Sequence, residues 1–300
     1  MSGMLLIFAP LVVGYFISIT NKEWLNTLNK ATTNLVYIIL FLMGLNLSSL
    51  DNLSGNMQTI GQYTLVFFIF MALCNFATLP ILDRLYPIDI ESKKTKLPLS
   101  HMALDSIKLI LVVGGGLVIG RLQPYPLTWV ESTSEAILFL LLFFIGIQLR
   151  NSGLTLKQIV LNKHGMIISL VVMGSCWLGG LAAGFTLDLP VAQSLAMSSG
   201  FGWYSLSGIL MGDAYGPVFG GSSFLIELLR ELLSLMLIPM FISRSPCTSI
   251  GYAGATAMDF TLPVIQTTGG VKCVPVAIVS GFILSLLVPL LMLFFVSLPL

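Results

Sequence analysis

Of the 300 residues, 56% are hydrophobic and only 9% are charged, with a formal net charge of +1. Soluble domains carry roughly 25% charged residues, so this chain cannot cover a water-facing surface and its composition is that of a polytopic membrane protein. The near-neutral charge gives no footprint for a nucleic-acid partner, and the four cysteines lack CxxC or Cys/His spacing, which indicates neither a metal site nor a disulfide framework.

A membrane span needs about 20 mostly apolar residues. Windows at roughly 4–20, 33–50, 61–82, 102–120, 134–149, 165–187, 222–242 and 274–298 qualify. The first is read as a span, because it lacks the basic flank and small-residue cleavage site of a removable signal. Two further segments, about 191–211 and 249–269, are apolar but interrupted by glycine and polar residues, and are predicted to be broken or re-entrant. The loops at 83–100 (Arg84, Lys93, Lys94, Lys96) and 150–163 (Arg150, Lys157, Lys163) are basic, which places them in the cytoplasm. The loop at 21–32, with Lys22 and Lys30, follows them. Both termini then fall outside. The expectation is one all-α domain over residues 1–300 with about eight crossings and two re-entrant segments. Ten crossings remain as the alternative.

Internal similarity adds a symmetry. "ILFLMGLNLSSL" (39–50) resembles "LLFFIGIQLRNS" (141–152), with Gly44 opposite Gly146 and Asn46 opposite Gln148. Upstream, "LVVGYF" (11–16) resembles "LVIGRL" (117–122). The copies, about 4–82 and 102–187, hold three spans each, so the second is inverted relative to the first, as recurs in secondary transporters. Residues 191–300 follow, with the two broken segments and two long spans. Within them "SSGFGWYSLSGIL" (198–210) overlays "GATAMDFTLPVIQ" (254–266), with Tyr204 opposite Phe260 and Ser205 opposite Thr261. Non-helical backbone at membrane depth is tolerated only where it lines a cavity or is buried in protein, so a substrate path is expected there.

Four acids, Asp105, Glu227, Glu231 and Asp259, stand inside apolar segments. Each costs at least about 2.5–3.5 kcal/mol near the bilayer centre, so each needs a partner or a purpose. His101, Asp105 and Lys108 share a helical face, and Asp105 with Lys108 reads as a structural ion pair. Glu227 and Arg230, at i and i+3, are spaced to pair. Arg230 either bridges Glu227 and Glu231, or Glu231 faces a wet cavity where it binds a cation or exchanges a proton. Asp259 has no base within a helical turn and stands before Pro263, with Thr256 and Thr261 nearby. It suits a cation or proton site, the alternative being a protonated structural acid. Trp203 and Tyr204 offer either cation–π contact to an ammonium group or an interfacial aromatic belt. No enzymatic constellation or phosphate-binding loop is present in the sequence, and neither a cofactor nor a metal is expected.

The stretches "LFFIGIQLRNSGLTLKQIVLNKHGM" (142–166), "LAMSSGFGWYSLSGILM" (195–211), "RELLSLMLIP" (230–239) and "GATAMDFTLPVIQTTGG" (254–270) resemble the bacterial lysine exporter family LysO. The resemblance runs nearly end to end. It implies a secondary transporter of the bacterial inner membrane that exports L-lysine and toxic lysine analogues, with a cation/proton antiporter-like fold of inverted repeats and interrupted helices. Joined to the residue reading, it gives the expectation of lysine/proton antiport by alternating access. Glu231 and Asp259 would alternately hold the proton and the substrate's ammonium groups, supported by Trp203, Tyr204, Ser205, Thr256 and Thr261. The alternatives are a potential-driven uniporter or channel for cationic amino acids, sodium coupling, and a membrane scaffold that does not transport.

Overall fold

The computed structural model describes residues 2–19, 21–48, 53–88, 99–123, 129–151, 162–270 and 272–298. Within these, the side chains of residues 2–8, 99–107 and a few single positions lie outside the description. Every regular element among them is helical. Six helices come first: α1 (Ser2–Tyr15), α2 (Lys22–Ser48), α3 (Leu53–Leu85), α4 (Leu99–Leu122), α5 (Trp129–Arg150) and α6 (Lys163–Thr186). Then come short α7 (Val191–Met197), α8 (Tyr204–Tyr215), long α9 (Pro217–Phe241), short α10 (Pro246–Ala253), a 3₁₀ turn (Gly254–Met258), α11 (Leu262–Gly269) and α12 (Cys273–Val296). Among the described residues α2, α3, α6 and α12 are long and apolar enough to cross a bilayer. With so few charges elsewhere, the chain is a multi-pass membrane protein. Helix α9 has 25 residues, the length of a span, but carries three ionisable groups.

The first six helices pack reciprocally: α1 lies on α5, α4 on α2, α3 on α6, and α2 on α5. Glycine permits the closest approaches. A Cβ on Gly14 would collide with the Phe143 carbonyl oxygen, and one on Gly146 with that of Leu11. On the other pair, Gly44 meets the Val113 carbonyl and Gly116 that of Phe41. One sequence offset carries Gly44 to Gly146 and Gly14 to Gly116. The match of "LVVGYF" with "LVIGRL" puts Gly14 opposite Gly120 instead, one helical turn away, and Gly120 packs on the Ser48 side chain. The reason is local: glycines at both 116 and 120 put the same signal on one helical face, and the sequence cannot choose between adjacent turns.

The broken segments form two hairpins that enter from opposite ends. Helix α7 runs down from the end of α6, with Gly184 against Ser194 and Gly180 against Ser198. Helix α8 doubles back along α9, with Gly208 against Gly220 and Phe224. Both ends of the first hairpin therefore lie at the N-terminal end of α9. The second hairpin starts beside the end of α3, where Asp83 bonds Thr248. It returns to the C-terminal end of α9, where Gly269 packs on Ile242.

The hairpin tips meet. The Ala255 N–H donates to the Phe201 carbonyl at 2.8 Å. Gly254, at φ 67°, backs so close to that carbonyl that a Cβ would collide with it. Both its dihedral and its clearance require glycine.

Candidate functional site

Helix α9 runs past this crossing, and its charged residues divide between the two hairpins. The buried Glu227 carboxylate accepts the Gly202 N–H through Oε2 at 2.6 Å. That is just before the start of α8, where free N–H groups favour an anion. Arg230, also buried, donates from Nε to the Tyr252 carbonyl at 2.9 Å and from Nη2 to the Gly251 carbonyl at 3.2 Å. Its Nη1 lies 3.1 Å from the Cys176 sulfur, and the guanidinium sits 5.4 Å from the Tyr252 ring centre. It thus caps the C-terminal carbonyls of α10, where a cation is favoured. The opposite charges of Glu227 and Arg230 attract one another, but their hydrogen bonds go elsewhere. Each side chain hydrogen-bonds a different hairpin, because each half-helix end offers a closer partner than a neighbour on the same helix.

The start of α10 is closed too. Asp83, at the end of α3, accepts the Cys247 N–H at 2.7 Å, the Thr248 N–H at 3.1 Å and the Thr248 hydroxyl at 2.6 Å. This half-helix carries an acid at its positive end and a base at its negative end.

Glu231 faces the other way. It lines a cavity of about 570 Å³, within the roughly 300–1,000 Å³ of small-molecule sites. Asp259 lines the same cavity from the second hairpin and is exposed to it; its Oδ1 accepts the Phe260 N–H. Trp203, Tyr204 and Ser205 of the first hairpin and Thr256 of the second also line it. Tyr204 is steadied edge-on against Phe224, ring centres 5.9 Å apart. Thr261 does not line it: its N–H and its hydroxyl both donate to the Thr256 carbonyl at 3.0 Å, and it is fully buried. The Asp105–Lys108 pair rests on Asp105, whose side chain lies outside the described residues.

The opposite wall belongs to α2 and α5, including Thr32 and Gln148. Gln148 Nε2 donates to Thr32 Oγ1 at 3.1 Å. Sequence reasoning singled out neither as a site residue, although Gln148 had been paired with Asn46 in the repeat. Two carboxylates, two aromatic faces and several hydroxyls suit a small cation whose ammonium groups need both charge and directed acceptors.

Broken helices whose tips cross beside a cavity lined by acids recur in membrane transporters. The comparisons agree with that class and narrow it. The chain belongs to the lysine exporter LysO family, whose profile matches residues 110–296. It is 51% identical over 295 residues to "Lysine exporter LysO" of Escherichia coli (strain K12), covering 98% of this chain and 99% of that protein. It is 44% identical over 192 residues to "Putative lysine exporter" of Haemophilus influenzae, covering 64% of this chain and 98% of that one. No solved structure matches.

Proposed function

We propose that this chain exports L-lysine, together with lysine analogues of like charge, across the bacterial inner membrane by proton antiport. The observation that carries the reading is that Glu231 and Asp259, from different segments, line one cavity while Glu227 and Arg230 hydrogen-bond the half-helix ends. The charges that hold the crossing together are thereby separated from the acids that face the substrate. A dibasic amino acid carries two ammonium groups and one carboxylate. The carboxylates of Glu231 and Asp259 take the ammonium groups, Trp203 and Tyr204 offer aromatic faces, and the hydroxyls of Ser205 and Thr256 complete the shell. Protons entering from the far side occupy the same two carboxylates once lysine has left, and so bring the empty carrier back.

Eight crossings fit this reading, formed by α1 to α6, α9 and α12. Each hairpin returns to the end it came from, so neither adds a crossing. The reciprocal packing of α1 on α5 and α4 on α2 supports inverted repeats. With the basic loops in the cytoplasm, both termini lie outside, and the cavity of Glu231 sits toward the cytoplasmic ends of α2 and α5.

The test is transport in proteoliposomes. Glu231→Gln and Asp259→Asn should each abolish lysine-dependent proton flux. If both variants keep that flux, the mechanism is wrong. If the wild-type chain moves lysine with the membrane potential and no proton accompanies it, the protein is a uniporter.

A further inference from the structure

A second cavity, of about 280 Å³, lies on the same α2 and α5 wall, nearer the opposite end of the bundle. Asn46, Ile39 and Met43 of α2, and Ser134 and Leu138 of α5, line one side of it. Gly208, Asp213 and Gly216, along and just past α8, line the other.

Each of its five α2 and α5 residues has a counterpart on the wall of the first cavity. The offset that carries Gly44 to Gly146 carries Thr32 to Ser134 and Val36 to Leu138. It also carries Ile39 to Leu141, Met43 to Ile145 and Asn46 to Gln148. In each pair one member lines the first cavity and the other the second. The two cavities are thus counterparts under the relation that pairs α1 with α4 and α2 with α5. Buried Leu138 and Ile209 line the second cavity, and buried Leu141, one helical turn on from Leu138, lines the first.

The hydroxyls of the two walls are satisfied differently. Gln148 and Thr32 are hydrogen-bonded in the first cavity, whereas the buried Ser134 hydroxyl has no hydrogen-bond partner among the described residues. An orphaned hydroxyl beside a cavity that Asn46 and Asp213 also line lacks only a polar partner from that side.

We infer that the Asn46–Ser134–Asp213 cavity is the second half of the substrate path, through which a cationic amino acid leaves after Leu138 and Leu141 part. This rests on the transport reading above. Asp213, exposed at its rim, supplies the negative charge that draws the ammonium groups onward. The Ser134 hydroxyl and Asn46 amide take over from Thr32 and Gln148.

The test uses Ser134→Cys and Thr32→Cys in the full chain, with the unsubstituted chain as labelling control. Sealed vesicles are treated from one face or the other with a membrane-impermeant thiosulfonate that attaches a trimethylammonium group. Ser134→Cys should react from the face opposite to that which labels Thr32→Cys. Fully modified Ser134→Cys should lose lysine efflux to background yet still bind lysine in detergent. Adding Asp213→Asn should slow labelling by the cationic reagent relative to an anionic one. Labelling of both positions from one face, no labelling of Ser134→Cys from either, or intact efflux after full modification would each overturn the second half-path and leave lysine transport standing. Absence of lysine flux in the unmodified wild-type chain would instead defeat the transport reading, and this inference with it.

Discussion

Arg230→Met removes a guanidinium that meets the two hairpin-tip carbonyls of α10 and keeps most of its bulk. Two charge-assisted hydrogen bonds are lost, at 2.9 and 3.2 Å, each worth about 1.5–3 kcal/mol net. The Gly251 carbonyl keeps the Gly254 N–H, but the buried Tyr252 carbonyl loses its Arg230 donor. Glu227, itself fully buried, loses the nearest cation on its helix. Truncating one member of a buried charge system costs about 3–5 kcal/mol, so a loss of stability of that size is expected. The assay is equilibrium unfolding in mixed detergent micelles, followed by tryptophan fluorescence. Glu227→Gln in the same chain should recover part of the loss, with a coupling of about 0.5–3 kcal/mol, because the uncompensated charge is then gone. An Arg230→Met protein within about 1 kcal/mol of wild type, less than one charge-assisted bond is worth, would refute the reasoning. A strictly additive double variant would refute the electrostatic part alone.

Asp83→Ala should cost about 0.5–2 kcal/mol through loss of the α10 N-terminal cap, measured by the same unfolding titration, and Asp83→Asn should recover part of it. Gly44→Val should abolish folded yield in size-exclusion chromatography, because a Cβ there meets the Val113 carbonyl. Gly115→Ala, where a Cβ would meet nothing within 4 Å, should be neutral or stabilising by up to about 1 kcal/mol. Thr261→Val should lower stability by about 1 kcal/mol through the lost bond to Thr256 while leaving lysine affinity unchanged by calorimetry. A large affinity loss would return Thr261 to the binding shell.

The two broken segments were legible because glycine and polar residues interrupt otherwise lipid-soluble runs, and Glu231 and Asp259 stood out for want of a local base. Helical spacing put the Glu227 and Arg230 charges together but did not reach their hydrogen-bond partners. Distance along one helix shows which neighbours can meet, but not which half-helix end lies closer in space. Asp83 was lost in a loop whose other charges spoke only of orientation, and its role needs α10 brought alongside α3. Thr32 and Gln148 carry no charge, the first falling in an expected loop at 21–32 that is helical in the structure and the second in an unbroken span, so composition could not single them out. The repeat match at Asn46 and Gln148 was the one sequence signal that reached Gln148, and none reached Thr32.

The hydrogen bond between Ala255 and Phe201 acts as a rivet. It joins two hairpins anchored at opposite ends of the bundle, and the glycine beneath it leaves no slack for the tips to slide past each other. Displacing one tip therefore loads the other, and both load α9 through Glu227 and Arg230. The hairpins and α9 are thereby tied into one block, and both cavities lie between that block and the α2–α5 wall.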